Sequence, residues 1–360
     1  MLKRMYLAYA AVGRAFHAYV APLFTFGALL LLHAVVAAGM VLDPLFFPSL
    51  RRRAVVKPIV VVGVPRSGTT FLQRTLVEYG YGSGMRIWKM MFPSLVLQTL
   101  LKPFVPLLEK VSPARFHAHA AHETNLTAVE TDDPALLFRY FDGLFVYGFF
   151  LAWAEKDLKP LFDPAVRDTS RRDFDWMEKV WRRNLISENR ERMVAKIFSL
   201  GMRIPLFLKK FPDARILYLV RDPLETVPSG LSLVTGVLDG RFGFWNLPEP
   251  KRQAYIERLY TAFLELGLRF HDDYVTGRIP RENVMIVPYT RMMRNFEKIM
   301  QDINAFLEVK PSQDVLRRIK IIAGKQRSYT SKHQYDLARF GLTAERIRKD
   351  YQIIYKTFLK

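Results

Sequence analysis

Two glycines, one arginine and three hydroxyl side chains gather within residues 63–70, directly after the apolar run 59–62 and before a stretch that reads as helix. This is the composition of an anion cradle. Glycine lets the backbone turn tightly, so that consecutive N–H groups and the positive end of the following helix converge on a phosphate or sulfate. The spacing Gly63-x4-Gly68 matches the P-loop frame, in which a lysine follows the second glycine. Here that position is Thr69. Without the lysine the loop is poorly equipped to draw the terminal phosphate of ATP. The cation sits inside the loop instead, as Arg66 beside Pro65.

The string Pro65-Arg66-Ser67-Gly68-Thr69-Thr70 resembles the 5′-phosphosulfate loop of sulfotransferases that use PAPS (3′-phosphoadenosine 5′-phosphosulfate). A second stretch carries the same resemblance: residues 214–220 read as another apolar strand, ending in Arg221-Asp222-Pro223, with Ser229 eight residues after the arginine. In that family the strand-end arginine and the downstream serine grip the cofactor's 3′-phosphate. An arginine fork and a hydroxyl on the next helix are physically suited to share one phosphate. Near the C-terminus, His333-Gln334-Tyr335 and Phe340-Gly341-Leu342-Thr343 are similar to the closing segment of bacterial members. The resemblance covers the chain from about residue 57 to its end. It implies PAPS as donor, PAP (adenosine 3′,5′-bisphosphate) as product, and no metal. It also implies that Lys196 lies near the active site, that Tyr289 lies near the adenine, and that Lys325 and Arg327 help bind the 3′-phosphate. Thr290-Arg291 stands where relatives carry an acidic pair after that tyrosine, so only Tyr289 carries over.

Sulfuryl transfer needs an in-line acceptor oxygen, charge stabilisation on the moving group and leaving phosphate, and a base for the acceptor proton. Arg66 and the loop amides are placed to hold the leaving group. Many relatives carry a Trp-Glu pair after the first helix, and here the pair is Trp88-Lys89. The base is therefore sought in the next mixed segment, at His122 or Glu130, with His117 and His119 as further options. Asp132 and Asp133, just before Pro134, read as helix capping. His119 and His122 could share a helical face, but no third zinc ligand accompanies them.

The elements that must position these groups follow from the wider pattern. Helical stretches separate the apolar strands, which predicts an α/β fold: a P-loop-like parallel sheet flanked by helices, with an apolar N-terminal helical segment. The expected division is a membrane-associating segment at 1–50 and a catalytic domain at 51–360. Residues 15–42 carry no Asp, Glu, Lys or Arg, and the 19 residues of 24–42 are long enough to cross a bilayer, to lie in its interface, or to be a buried helix. Basic residues flank the run on both sides, so charge does not choose an orientation. A cytosolic cofactor places the catalytic body on the cytoplasmic side. The absence of cysteine excludes disulfides and thiolate catalysis. A net charge of +20, with 13 Lys or Arg against 4 Asp or Glu in residues 310–360, attracts polyanions or anionic lipid. No pattern for reading nucleic-acid bases accompanies it. The resemblance implies an acceptor bearing a hydroxyl or an amine, for which a small molecule or a lipid is expected. Aromatic residues between Phe138 and Trp153 read either as its binding surface or as core packing. Two other readings stand beside this one: a nucleotide kinase or triphosphatase with an altered loop, and a membrane-bound adapter that binds a nucleotide without catalysis.

Overall fold

The computed structural model describes residues 1–111, 125–327 and 336–359. Four short strands form one sheet in the order β2-β1-β3-β4: β1 (Ile59–Gly63), β2 (Val194–Lys196), β3 (Arg215–Val220) and β4 (Val284–Pro288). All neighbours pair in parallel, with Val61 opposite both Lys196 and Leu217, and Tyr218 opposite Ile286. β1 and β2 are buried throughout; β1 accordingly reads as a continuous apolar run, whereas β2 ends in the buried Lys196.

Alternate residues of the strands enter two separate cores. Val60, Val62, Ala195, Ile216 and Tyr218 face the larger one, whereas Ile59, Val61, Val194, Leu217 and Leu219 face the smaller. A period of two across a sheet covered on both sides produces this division. The helix after β1, α3 (Thr69–Glu78), sends Leu72 and Leu76 into the smaller core. The helix after β3, Pro223–Phe242, sends Val227, Leu231 and Leu238 into the larger. Adjacent strands whose following helices leave to opposite faces open a crevice at their carboxyl ends. Both sequence motifs end there.

Two helices precede the sheet: α1 (Leu2–Phe16) and α2 (Val20–Phe46). Met5, Ala8 and Leu29 join the larger core. Asp43 of α2 is fully buried; it accepts from Ser94 Oγ at 2.7 Å and pairs with Arg183 Nε at 2.6 Å. The N-terminal segment is thus packed along the body that contains the sheet.

Candidate anion-binding and transfer site

β1 ends at Gly63, where a Cβ would lie 2.6 Å from Ser67 Oγ and 2.8 Å from the Leu219 carbonyl of β3, so the tight approach of loop and strand requires glycine. The loop is shaped by two left-handed residues, Arg66 at φ 73° and Gly68 at φ 94°. For Gly68 this is unstrained; for Arg66 it costs about 1–2 kcal/mol. A Cβ on Gly68 would also come within 2.9 Å of the Tyr289 ring. With Ser67 between them, these residues form a concave turn at the positive end of α3. The Ser67 hydroxyl is buried and has no hydrogen-bond partner among the described residues. A buried donor left in this way suits an anionic ligand.

Beyond β3, Asp222 caps the helix Pro223–Phe242 by accepting from Leu224 N at 2.9 Å, with Pro223 in the first turn. That start fixes where Arg221 and Ser229 stand. Arg66 Nε donates to Ser229 Oγ at 2.9 Å, and Arg221 donates to the Arg66 carbonyl at 3.0 Å. The Arg221 guanidinium also donates to Glu225 at 2.9 Å and lies 4.1 Å from the centre of the Tyr289 ring. Arg66, Arg221, Ser229 and Tyr289 therefore form one cluster from three separate parts of the chain. The Arg66 side chain reaches toward Ser229 rather than standing at the loop alone, so it joins the loop after β1 to the helix after β3.

A second cluster adjoins the first turn of α3. Lys196, at the end of β2 and 1% exposed, donates from Nζ to Thr70 Oγ1 at 2.9 Å and lies 3.7 Å from Glu130 Oε2. Arg74 Nη2 pairs with Glu130 Oε1 at 2.6 Å and Arg74 Nε donates to the Val129 carbonyl at 3.1 Å. Gln73 donates to the carbonyls of Glu130 and Val194, tying the segment to α3 and β2. Burial pulls the Lys196 ammonium down to about 8, against the opposing influence of Glu130. A carboxylate, an ammonium and a threonine hydroxyl thus meet at the first turn of α3. Such a set can hold negative charge and exchange a proton. Arg74 escaped the sequence reading, although it lies four residues after Thr70 on the same helix, the spacing that places side chains on one face.

Asp132 and Asp133 do not cap their own helix, Pro134–Tyr140, which has no side-chain cap. Their carboxylates accept backbone amides at the exit of β2: Asp132 from Lys196 at 3.0 Å, Asp133 from Phe198 at 2.8 Å and Ser199 at 3.2 Å. Strand-end amides without a sheet partner outcompete the adjacent helix. Burial pushes the Asp132 carboxyl up to about 7, while the donors from Lys196 N and Trp181 oppose the shift.

Lys89 is buried and donates to Glu188 at 2.5 Å and Ser187 Oγ at 2.8 Å. The aromatic stretch is largely core: Phe141 and Tyr147 are buried, and Trp153 stacks on Tyr255 with ring centres 3.8 Å apart. His117, His119, His122, Tyr329 and His333 lie outside the described residues, as do the side chains of Lys325 and Arg327 at the end of the helix Gln313–Arg327.

Residues 58–314 match the family model described as the sulfotransferase family. Among solved structures the fold is similar to sulfotransferase STF1 from Mycobacterium tuberculosis H37Rv, with TM-score 0.68 and 18% identity over 97% of this chain and 91% of that one. It is also similar to sulfotransferase STF9 from Mycobacterium avium, with TM-score 0.65 and 18% identity over 88% and 80% of the respective chains. A search by sequence among curated proteins found no significant match.

Proposed function

This chain belongs to the sulfotransferase family, and we propose that it transfers the sulfuryl group of PAPS to a hydroxyl or amine of a small-molecule or lipid acceptor, at a membrane surface with the catalytic body on the cytoplasmic side. The observation that carries the reading is the meeting of the glycine-bounded loop after β1 with the carboxyl end of β3, with Arg66 bonded to Ser229 and Arg221 to the Arg66 carbonyl, which supports two anion positions side by side. A nucleotide with phosphate groups at both 5′ and 3′ ends suits that pair; a simple triphosphate occupies only one of them. The orphan hydroxyl of Ser67 and the glycine-only contact at Gly63 fit an anion held in the loop.

When bound, PAPS supplies the sulfuryl group that moves. In this reading Pro65, Arg66, Ser67, Gly68, Thr69 and Thr70 hold its 5′ end, and Arg221 and Ser229, joined by Arg66, hold the 3′-phosphate, with Lys325 and Arg327 as helpers. Tyr289 supports the purine. Lys196 keeps positive charge beside Thr70, where the leaving oxygen gains charge. Glu130, oriented by Arg74, accepts the proton of the acceptor hydroxyl as the new S–O bond forms and the bond to the phosphate breaks. His122 is the other base proposed for that proton.

Thermal unfolding with ligands tests the donor. PAP at 100 times its dissociation constant adds about 2.7 kcal/mol of stability, and ATP with Mg²⁺ is expected to add much less. Equal shifts would favour the triphosphatase reading. Transfer of label from PAPS to components of a membrane extract identifies the acceptor; tight PAP binding with no transfer to any acceptor would favour the adapter.

A further inference from the structure

The helix α2 is unusual in which of its faces is polar. Its buried residues, Leu29, Val36, Gly39 and Asp43, recur at the three- and four-residue spacing of one helical face. That face carries His33 and Asp43, whose side chains contact the Phe138 carbonyl and the Arg183 guanidinium. Among the exposed residues of α2, only Thr25 has a polar side-chain atom, and it bonds back to the Ala21 carbonyl. The outward face presents Phe24 (77% exposed), Leu31 (66%), Val41 (74%) and Leu45 (71%). Water-facing helices place their charges outward; here the polar groups point into the protein and the apolar ones away from it.

Both ends of α2 are fastened to the same body. At its start, the short turn after α1 is held by Phe16, which packs against Trp153 and Phe242 with ring centres 4.7 and 4.6 Å apart; farther along α2, Phe26 packs against Phe141 with ring centres 5.3 Å apart. At its end, Asp43 is locked to Arg183, Ser94 and Val96 N. A helix of 27 residues, roughly 40 Å long, would need its ends on opposite sides of a hydrocarbon layer about 30 Å thick to span it. Attachment to one body along its length prevents that. The helix Leu95–Leu101, which packs on α2, leads into a segment exposing Leu100, Phe104 and Leu107. Exposed basic residues border these surfaces: Arg14 before α2, Arg51 and Arg52 after it, and Lys102 between Leu100 and Phe104.

We propose that the outward face of α2 lies in the plane of an anionic leaflet, so that the protein docks on one side of the membrane without crossing it. This rests on the membrane association proposed above and specifies its geometry. Apolar side chains enter the leaflet and the bordering basic groups meet acidic headgroups, the arrangement of an interfacial helix.

The test uses the full chain. In flotation with phosphatidylcholine vesicles, adding phosphatidylglycerol is expected to increase the bound fraction roughly tenfold or more. The double variant Leu31→Glu, Val41→Glu is expected to lose that binding while keeping its circular dichroism and melting temperature, because both side chains face outward. The natural chain has no cysteine, so Arg14→Cys and Arg52→Cys can be made singly in membranes of producing cells. Both should react with an impermeant maleimide in vesicles of the same sidedness. Reaction from opposite sides would overturn the in-plane geometry and leave membrane association standing. A chain that stays off all vesicles would remove both. Binding unaffected by the two glutamates, or equal on neutral and anionic vesicles, would also overturn the proposal. So would a soluble dimer that the glutamates split, which would assign the face to a second copy.

Discussion

Arg66 and Arg221 sit at different strand ends yet touch each other, so each is lost with a different set of contacts. Arg66→Ala removes the donor to Ser229, and Arg221→Ala removes the contact to the Arg66 carbonyl together with the stack on Tyr289. Each strips a charge-assisted contact, worth about 1.5–3 kcal/mol, and each is expected to weaken PAP binding by tenfold or more in titration calorimetry. Unchanged affinity in both would show that the cluster is architectural. For Glu130→Gln the expectation is a loss of about 10²–10⁴ in turnover with PAP affinity kept; near-normal turnover with a verified acceptor would move the base elsewhere. Lys196 makes the pH dependence specific. Its ammonium titrates near 8 rather than 10.5 because it is buried, so kcat/KM should fall as pH rises through about 8, and Lys196→Arg should remove that limb. The linkage to folding has the opposite sign. The folded chain holds this proton less tightly than the unfolded chain, so burying the charge costs stability below pH 8. That cost is relieved between about 8 and 10.5.

At the scale of elements, the loop after β1 and the last turns of α2 each depend on one residue whose replacement is costly. Gly68 combines φ 94° with the Tyr289 ring 2.9 Å from where a Cβ would be. Gly68→Ala should cost at least about 1–2 kcal/mol in chemical denaturation and abolish PAP binding, because either the turn or Tyr289 must move. Gly80→Ala is the control: its φ is 81°, but nothing lies within 4 Å, so only the backbone cost should appear, with PAP binding kept. Asp43 and Arg183 are a buried pair at the junction of α2 with the helix Ser170–Ser187. Asp43→Ala leaves the guanidinium buried without its carboxylate and is expected to cost about 3–5 kcal/mol. Adding Arg183→Met should recover much of this. A double variant no better than the single would mean that Ser94 and Val96 N, the other partners of Asp43, carry the cost.

Over the whole molecule, the N-terminal helices share the core of the sheet rather than trailing from it. Met5, Ala8 and Leu29 pack in the same cluster as Val60 and Ile216. Removing residues 1–50 is therefore expected to lower the melting temperature by several degrees, at about 4–8 °C per kcal/mol for small domains and less for larger ones. A truncated protein with unchanged melting would show that the segment is a detachable anchor. The balance of 54 basic to 34 acidic residues acts over longer distances. Raising ionic strength shortens the Debye length from roughly 30 Å at 0.01 M to 3 Å at 1 M.

Much of the fold was legible because its signals are short-range. The apolar runs 59–62 and 214–220, a glycine-bounded turn and Arg221-Asp222-Pro223 each encode their own conformation through backbone sterics, strand burial and capping, so the α/β fold and both strand-end motifs could be read from neighbouring residues and the family resemblance they carry. The partners of Lys196 and Lys89 could not. Lys196 meets Thr70 because β2 pairs with β1 in the register Val61↔Lys196, and it meets Glu130 because Asp132 N binds the Lys196 carbonyl. Lys89 finds its carboxylate 99 positions away, at Glu188. Likewise, the apolar run of α2 was equally compatible with spanning, lying flat or being buried. Hydropathy records how apolar a helix is but not which face the body covers. Asp43, Arg183 and the packing of Phe16 decide that, and they come together only when distant segments pack.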